Sequence, residues 1–471
     1  MKRNRIMVMA ALWMLPLTAV AQVQLSFEEA LQLLSKQNQR VKIADKGIEI
    51  ARMERGKLNA LWYPSLQGAG SWVHLSQKIE VKQPLSQFTD PAKDFVHSIL
   101  PNDQLISSIL DQIGSNTLVF PLAPSNLTTV DLTAEWVLFA GGKRVRAGRI
   151  GQAMVDLAHE NRAQVTVAQQ TLLTETYYGL RLARQVVAVR QATYAALRKH
   201  YEDALKLEEN GMIDRAGRLF AQVNKEEAKR EFEAARKDET VMQRALKSLL
   251  KQASDSVDIE PTSPLFMNDS LPPRMLFDQA VGSGNALLGQ LRIQERIAHE
   301  QVGIDRSGYL PDIALFGKQT LYSKGIQRNL VPRSMVGVGF TWNLFDGLER
   351  EKRIRQSRLI EQTVALSRAQ AEDDLLVAVD KLYTQLQKAQ ESVRTLNATI
   401  ALSEELVRIR KRSFAEGMAT SLEVIDAETM LAKVQVARLA AYYEYDVSLM
   451  QLLSICGTTQ QFGTYRKISF N

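Results

Sequence analysis

The chain contains two copies of one pattern at a fixed separation, and this repeat constrains the fold more than any other feature. Leu138-Phe139 recurs as Leu344-Phe345, Tyr177 as Tyr383, and Gly211-Met212 as Gly417-Met418, always 206 residues apart. A constant separation means that two long segments align without a gap. Since self-similarity at a long period indicates that one supersecondary unit is reused, we expect two copies of one elongated unit rather than several unrelated domains.

The first 21 residues have the pattern of a secretory signal peptide. A basic head containing Lys2, Arg3 and Arg5 precedes the apolar run 6–20, and Ala19-Val20-Ala21 is a small-x-small cleavage site. The mature chain is therefore expected to begin at Gln22, after export across an inner membrane. A membrane anchor is the less favoured alternative, because the run is shorter than the roughly 20 residues that a spanning helix needs.

Charge and cysteine content exclude several classes of protein. The signal peptide carries three positive charges of the formal +7, and the remaining +4 is too small and too dispersed to indicate nucleic-acid binding. The single cysteine, Cys456, excludes an intramolecular disulfide and lies far from the cleavage site, so a lipid-modified N-terminal cysteine is not expected. Its apolar surroundings in the sequence predict a buried small hydrophobe.

A very long helix is predicted over residues 348–416, which contain neither proline nor glycine. A straight helix of that length spans about 100 Å. Its apolar residues follow the alternating four-and-three spacing of a coiled-coil seam: Leu375, Val379, Leu382, Leu386, Ala389, Val393, Leu396, Ile400 and Val407. The first copy keeps this pattern imperfectly, at Leu173, Leu180, Ala183, Val187, Tyr194 and Leu197. Gly211 and Gly417 predict the points where each long helix turns back into a shorter one.

Segments with a period of two precede each helical hairpin. In 129–139, apolar residues including Trp136 alternate with polar ones including Thr133, and in the second copy Val336 to Leu344, with Trp342, alternate with small or polar residues. Strands with one apolar and one polar face are typical of a transmembrane β-barrel with a water-filled lumen, and Trp136 and Trp342 are expected to face lipid. A soluble sheet with one solvated face is the alternative; the signal peptide and the long helices favour the barrel.

The fold class predicted is mostly α with transmembrane β, in a duplicated unit of a strand pair and a long helical hairpin. The predicted plan is a signal peptide at 1–21; a first repeat at 22–260 with a helix at 27–60, strands at about 63–75 and 128–139 and a hairpin at 143–252; a Pro-rich linker at 261–275; a second repeat at 276–457 with a helix at 277–306, strands at about 309–322 and 334–345 and a hairpin at 348–456; and a tail at 458–471. The longer connection, 77–127, is expected to be a cell-surface loop that covers the mouth or folds inward.

Oligomerisation follows from the strand count. Four strands per chain are too few to close a barrel around a lumen, and an open sheet edge cannot face lipid. The barrel is therefore expected to be shared between copies of the chain.

Two turns bear the strongest motifs. Leu344-Phe345-Asp346-Gly347, with its echo Leu138-Phe139-Ala140-Gly141, switches the chain from strand to helix, where glycine permits unusual backbone angles. The run from Gly417 to Ala427 supplies a hairpin glycine, hydroxyls that can cap the return helix, and two carboxylates, Glu423 and Asp426, on one helix face.

With this duplicated plan, the Phe-Asp-Gly turn at 345–347 and the run at 417–427, the chain resembles the TolC-like outer membrane efflux protein family over essentially its whole mature length. The resemblance implies a homotrimer whose twelve-stranded outer membrane barrel continues into a periplasmic α-helical barrel. It implies as partners a periplasmic adaptor protein and an inner membrane transporter such as an RND or ABC pump.

The resemblance also implies roles for particular residues. Glu423 and Asp426 match the acidic residues lining the periplasmic aperture, and Gly211 and Gly417 match helix-turn glycines that adaptors contact. The first copy departs from the pattern, because Gly217 and Phe220 occupy the acidic positions, so an acidic ring is expected from the second hairpin alone. A capping and solvated-face role for Glu423 and Asp426 is the alternative, and a solvated face is the default for Arg408, Arg410, Lys411 and Arg412.

The sequence predicts no enzyme, and no cofactor or metal site. The five histidines are scattered without an i+4 His or Cys partner, and no P-loop, G-x-S-x-G or H-E-x-x-H occurs. A passive outer membrane conduit is the leading hypothesis. The alternatives are an outlet for type I protein secretion and, in another class, a periplasmic coiled-coil scaffold without a pore.

Overall fold

A computed structural model of the chain describes residues 21–99, 104–251, 257–325 and 332–468. The predicted signal peptide up to residue 20 lies outside the described residues. Two compact units are present: unit 1 comprises residues up to 51, 153–295 and 362 onward, and unit 2 comprises 52–152 and 296–361. Both units take segments from both halves of the chain, so the compact units are not the two sequence repeats.

The two longest helices have 67 residues each, about 100 Å by the rise of an α-helix. The helices are α1 (Phe27–Gln37), α2 (Gln39–Ala60), α3 (Ser86–Ile99), α4 (Gln104–Gly114), α5 (Lys143–Glu209), α6 (Arg215–Leu250), α7 (Arg274–Gly284), α8 (Ala286–Ser307), α9 (Glu349–Ala415), α10 (Ser421–Ile455) and α11 (Phe462–Ile468). Among the described residues, no helix is both long and apolar enough to cross a membrane.

Asparagines break the two helices that were predicted as continuous over 27–60 and 277–306. Asn38 and Asn285 have extended backbones. The side-chain oxygen of Asn38 accepts from the backbone N–H of Arg40 and Val41, and that of Asn285 accepts from Leu287 and Leu288, at 2.9–3.2 Å. Each asparagine therefore ends one helix and caps the next. Helix propensity alone does not predict such a break, because it does not include hydrogen bonds from a side chain to the backbone.

Strands β2, β5, β7 and β8 form one antiparallel sheet in that order. The strands are β1 (Ala21–Leu25), β2 (Ser65–His74), β3 (Ile79–Pro84), β4 (Thr117–Ala123), β5 (Asn126–Ala140), β6 (Val257–Pro261), β7 (Asp312–Lys324) and β8 (Ser334–Thr341). The strand predicted over 334–345 was too long. It ends at Thr341 because the carbonyls of Asn343 and Leu344 accept instead from the Arg350 guanidinium.

Two strand pairs were not predicted. β1 and β6 pair in parallel and join the start of the described chain to the segment before residues 262–273, so the predicted linker at 261–275 overlaps the end of β6 and the start of α7. β3 and β4 pair antiparallel within the 77–127 connection, which also contains α3 and α4. The segment expected to be a cell-surface connection therefore has a hairpin and two helices of its own, and its position at the cell surface stays a prediction.

The core of unit 1 collects aromatic residues from distant parts of the chain. Phe27, Tyr177, Tyr178, Phe266 and Phe462 lie with ring centroids 5.2–6.0 Å apart in successive pairs and are essentially inaccessible to solvent. Because Phe462 comes from α11, the C-terminal segment predicted as a tail is part of the core. The seam residues of α9 are buried or half-buried, as their spacing predicts.

Candidate functional site: strand-to-helix junctions, sheet faces and helical tips

Left-handed glycines form both strand-to-helix junctions of unit 2. Gly141 and Gly347 have φ of +59° and +69°. A Cβ at Gly141 would lie 2.6 Å from the carbonyl oxygen of Ser307, whereas at Gly347 only the backbone angle requires glycine. The predicted turn residue Phe139 is instead near the end of β5, and Phe345 is exposed in the turn. Asp346 accepts from the backbone N–H of Arg350 at 3.2 Å, which caps the start of α9.

Two arginines that the sequence analysis missed organise these junctions. The guanidinium of Arg144 lies 4.4 Å from the ring centroid of Trp62, and that of Arg350 lies 4.1 Å from that of Tyr309. Arg144 also donates to the carbonyl of Leu138, as Arg350 does to the equivalent Leu344. The two arginines are 206 residues apart, so the repeat itself held the signal. Each arginine links the last residues of a β-strand, or those just after it, to the turn between the preceding helix and strand, through hydrogen bonds to backbone carbonyls and a cation–π contact with Trp62 or Tyr309.

The same corners hold the two tryptophans predicted to face lipid. The indole N–H of Trp136 donates to the carbonyl of Trp62 at 3.0 Å, and that of Trp342 donates to the carbonyl of Tyr309 at 3.1 Å. Trp136 is near the end of β5 and Trp342 follows β8, and both are exposed. An exposed aromatic at a strand end suits the aromatic girdle of a membrane barrel; lipid contact by these two residues stays a prediction.

The four-stranded sheet has one hydrogen-bonded polar face. Asp131 accepts from the hydroxyl of Thr320 at 2.7 Å and pairs with Lys318 at 3.0 Å, and the hydroxyls of Ser71 and Thr129 lie 2.8 Å apart. The opposite face is mostly apolar, and its residues include Leu66, Leu132, Trp136, Leu315, Val336, Val338 and Phe340. Cross-strand partners share a face, so the alternation read from the sequence continues across all four strands.

The helical hairpins of unit 1 turn at the predicted glycines. Gly211 and Gly417 have φ of +73° and +75°, with no other atom within 4 Å of an added Cβ. The methionines that follow them, Met212 and Met418, are exposed. Because both turns present a glycine and an exposed methionine to solvent, they are available to a partner protein; contact with an adaptor stays a prediction.

Glu423 and Asp426 differ in their surroundings. Glu423 forms a capping box with Thr420 at the start of α10 and an ion pair with Arg410 of α9. Asp426 is exposed, and among the described residues it has neither a hydrogen bond nor an ion pair. Within one protomer, therefore, Glu423 has the capping role considered as the alternative, and the expected aperture depends more on Asp426.

The basic cluster beside the tip divides into two kinds of contact. Arg408 and Arg412 pair with Glu405 and Glu416 on their own helix, at 2.6 and 3.1 Å. Arg410 and Lys411 instead pair across to α10, with Glu423 and Glu428. The solvated-face default therefore describes two of the four residues, and the other two link the long helix to its return helix.

A cavity of about 460 Å³ lies beside the second tip. It is lined by residues of α5, α9 and α10, including Lys199, Asp203 and Lys411. His200 is buried in its wall, where an imidazole nitrogen lies 2.7 Å from the hydroxyl of Ser421, the first residue of α10. Burial lowers the pKa of His200 from its ordinary value. The first tip is capped differently. The side chain of Asp214 accepts from the backbone N–H of Gly217 at the start of α6. Gly217 is the first-copy equivalent of Glu423, so this position has no carboxylate in the first tip.

The sequence and the fold are similar to those of known proteins. The family model described as outer membrane efflux protein matches residues 279–458, which contain the whole α9–α10 hairpin. The alkaline protease secretion protein AprF of Pseudomonas aeruginosa is 22% identical over 346 residues, covering 72% of this chain and 70% of AprF. Residues 279–458 therefore match the outer membrane efflux protein family, in agreement with the TolC-like resemblance and the outer membrane location expected from the sequence.

Solved structures of outer membrane proteins share the fold of this chain. The outer membrane protein VceC of Vibrio cholerae superposes with a TM-score of 0.71 at 17% identity, covering 91% of this chain and 96% of VceC. CusC gives 0.74 at 14% identity and 92% coverage of both chains. The CmeC outer membrane channel of Campylobacter jejuni gives 0.66 at 14%, covering 94% and 90%. The family is one of channels and is not known as an enzyme family.

Proposed function

We propose that this TolC-like protein is a homotrimeric outer membrane exit duct that passively conducts substrates to the cell exterior. The observation that carries the proposal is a four-stranded sheet with one polar and one apolar face, whose two edge strands have no partner among the described residues, in a chain that also has two 67-residue helices. The sheet supplies a lumen face and a lipid face. The long helices supply the periplasmic portion of the duct.

Closure of the barrel follows from strand direction. The edge strands β2 and β8 run in opposite directions, because the sheet has an even number of antiparallel strands. The β2 edge of one copy can therefore pair antiparallel with the β8 edge of the next, and three copies give twelve strands. Such pairing removes every edge, which a lipid environment requires.

The partners proposed are a periplasmic adaptor and an inner membrane transporter of the RND or ABC class. The exposed turns at Gly211-Met212 and Gly417-Met418 are the proposed adaptor contacts. Asp426, with Glu423 behind it, is proposed to narrow the periplasmic entrance in the trimer. The proposal includes no catalytic step and no cofactor, since the transporter supplies the energy.

An outlet for type I protein secretion is the second candidate. It is favoured by the similarity to AprF, which is named an alkaline protease secretion protein. Deletion of the gene distinguishes the two candidates. Loss of a particular protein from the culture supernatant supports secretion, and increased sensitivity to small toxic molecules supports efflux.

The conduit itself is tested with the purified full-length protein in planar bilayers. We expect discrete conductance steps from a trimer that reconstitutes in lipid. A periplasmic scaffold without a pore predicts no steps under the same conditions, and that result would overturn the proposal. The Leu132→Arg variant described below serves as the matched protein that should not insert.

A further inference from the structure

The insertion between β2 and β5 exposes an apolar surface that the conduit does not explain. Two helices, α3 and α4, and the β3–β4 pair form this insertion within unit 2. Asn38 and Asn285 are 247 residues apart, as are Trp62 and Tyr309, whereas Trp136 and Trp342 are 206 apart. The insertion therefore accounts for the difference in spacing and belongs to the first copy alone.

The two helices contact each other through polar and small residues. Lys93 of α3 forms an ion pair with Asp111 of α4, and Gly114 lies so close to Thr89 that an added Cβ would clash with the threonine hydroxyl. With this packing Phe88, Phe95, Leu105 and Ile109 stay exposed, whereas Val96 and Leu110 are half-buried.

Those apolar side chains instead point outward along one stripe of each helix. On α3, Phe88 and Phe95 are 61% and 66% exposed, and on α4, Leu105 and Ile109 are 72% and 49% exposed. Their spacing of seven and four residues places each pair on one helix face. A folded pair of helices with its apolar faces turned outward indicates a surface that is covered in the assembled protein.

We propose that the occupant of this surface is the same helix pair of the neighbouring copies, so that three α3–α4 pairs meet over the mouth and form a cap. This inference rests on the proposed trimeric duct. β2, which leads into the insertion, is an edge strand, so the insertion lies beside the seam with the next copy. Each insertion is therefore continuous with the interface that closes the barrel.

The dimensions permit the three pairs to meet. A barrel of twelve strands about 4.8 Å apart and tilted by about 40° has a radius of about 12 Å. The 14 residues of α3 span about 21 Å. A helix pair anchored at the rim is long enough to reach the barrel axis.

Charge argues against the membrane surface as the occupant. Residues 86–114 contain four aspartates and one lysine. An anionic membrane surface attracts basic segments and repels acidic ones. Apolar contact among three copies covers the stripe without placing these carboxylates against lipid phosphates.

Cysteine cross-linking tests the cap in the full-length protein in intact outer membranes. The native Cys456 is buried, so it provides little background. Phe95→Cys lies on the apolar stripe, and His97→Cys, on the opposite face of α3 and also exposed, is its matched control. With a short bis-maleimide we expect covalent dimers and trimers from Phe95→Cys and at most a tenth of that yield from His97→Cys.

A second experiment measures how far the cap restricts conductance through the mouth of the channel. A variant with Phe88, Phe95, Leu105 and Ile109 all changed to Ser should still conduct as a trimer, but with at least twofold larger mean conductance, because the cap no longer holds together. Equal cross-linking at the two cysteine positions, or unchanged conductance of the variant, would overturn the cap while leaving the duct intact. Quenching of a fluorophore on Phe95→Cys by spin-labelled lipid would assign the stripe to the membrane and overturn the cap as well. Absence of any trimer or conductance in the wild type would instead contradict the proposed function.

Discussion

At the scale of single residues, the most unusual group is the carboxyl of Asp446. It is fully buried in unit 1 beside Tyr178 and Tyr445, and neither of its oxygens has a hydrogen-bond partner among the described residues. Burial raises the pKa of Asp446 well above its ordinary value, although the nearby backbone of Phe266 and the charge of Arg466 oppose the shift. Between its ordinary and its raised pKa, the folded protein retains the Asp446 proton that the unfolded chain releases.

The sign of the pH dependence follows from proton binding. Above about pH 4 the unfolded state has lost the Asp446 proton and the folded state retains it, so this group makes stability fall as pH rises toward the raised pKa. Asp446→Asn should remove this slope and raise the free energy of unfolding at pH 8 by about 1–3 kcal/mol per protomer. Thermal unfolding of the wild type and the variant in detergent at pH 4.5 and pH 8 measures this difference in stability. Asp426→Asn, exposed on the same helix, is the control, and an equal gain there would contradict the assignment.

Glu423 and Asp426 provide the residue-scale test of the entrance. Three copies of this carboxylate pair around the trimer axis should create a negative potential that favours cations. Glu423→Ala and Asp426→Ala together should lower cation selectivity and weaken block by trivalent cations in single-channel recordings. Asp426→Ala alone should give most of the effect, because Glu423 is already paired with Arg410. Wild-type selectivity in the double variant would place both carboxylates outside the entrance.

At the scale of elements, the faces of β5 make a paired prediction. Leu132 lies on the apolar face and Thr133, its neighbour, lies on the polar face with Asp131 and Glu135. A cationic residue facing lipid near the bilayer midplane costs roughly 2–4 kcal/mol, and a trimer incurs that cost three times. Leu132→Arg should abolish outer membrane assembly, whereas Thr133→Arg should be tolerated. Heat-modifiable migration of the membrane fraction on gels measures this, and equal tolerance would mean that the faces are reversed.

The elements also show what sequence reasoning can reach. Period and breaker content predicted the long helices, the four strands of the main sheet and the hairpin turns, because those signals are local and strong. The helix breaks at Asn38 and Asn285 depend on side-chain capping, which a periodic pattern does not register. Pairing of β1 with β6 joins segments more than 200 residues apart, and no local signal specifies it. Arg144 and Arg350 could have been found, since the repeat aligns them at the same helix start.

The candidate site was less predictable than the fold for a physical reason. An aperture exists only where several copies approach one axis, so one chain's pattern gives the position of Asp426 but not what faces it. Glu423 illustrates the difficulty, since one carboxylate accepts from its own helix start and pairs with Arg410. Sequence spacing alone leaves capping and lining equally possible for such a residue.

At the scale of the whole molecule, trimerisation and the cap are separable, because different surfaces carry them. The unpaired edges of β2 and β8 require partners in lipid, whereas the apolar stripe of α3 and α4 lies outside the main sheet. We therefore expect native mass measurement in detergent to give three times the protomer mass for the wild type. The variant with Ser at positions 88, 95, 105 and 109 should give the same mass. A monomer with a closed barrel would contradict the edge argument, since four strands cannot enclose a lumen. A variant that falls apart into monomers would show instead that the insertion, and not the strand edges, holds the three copies together.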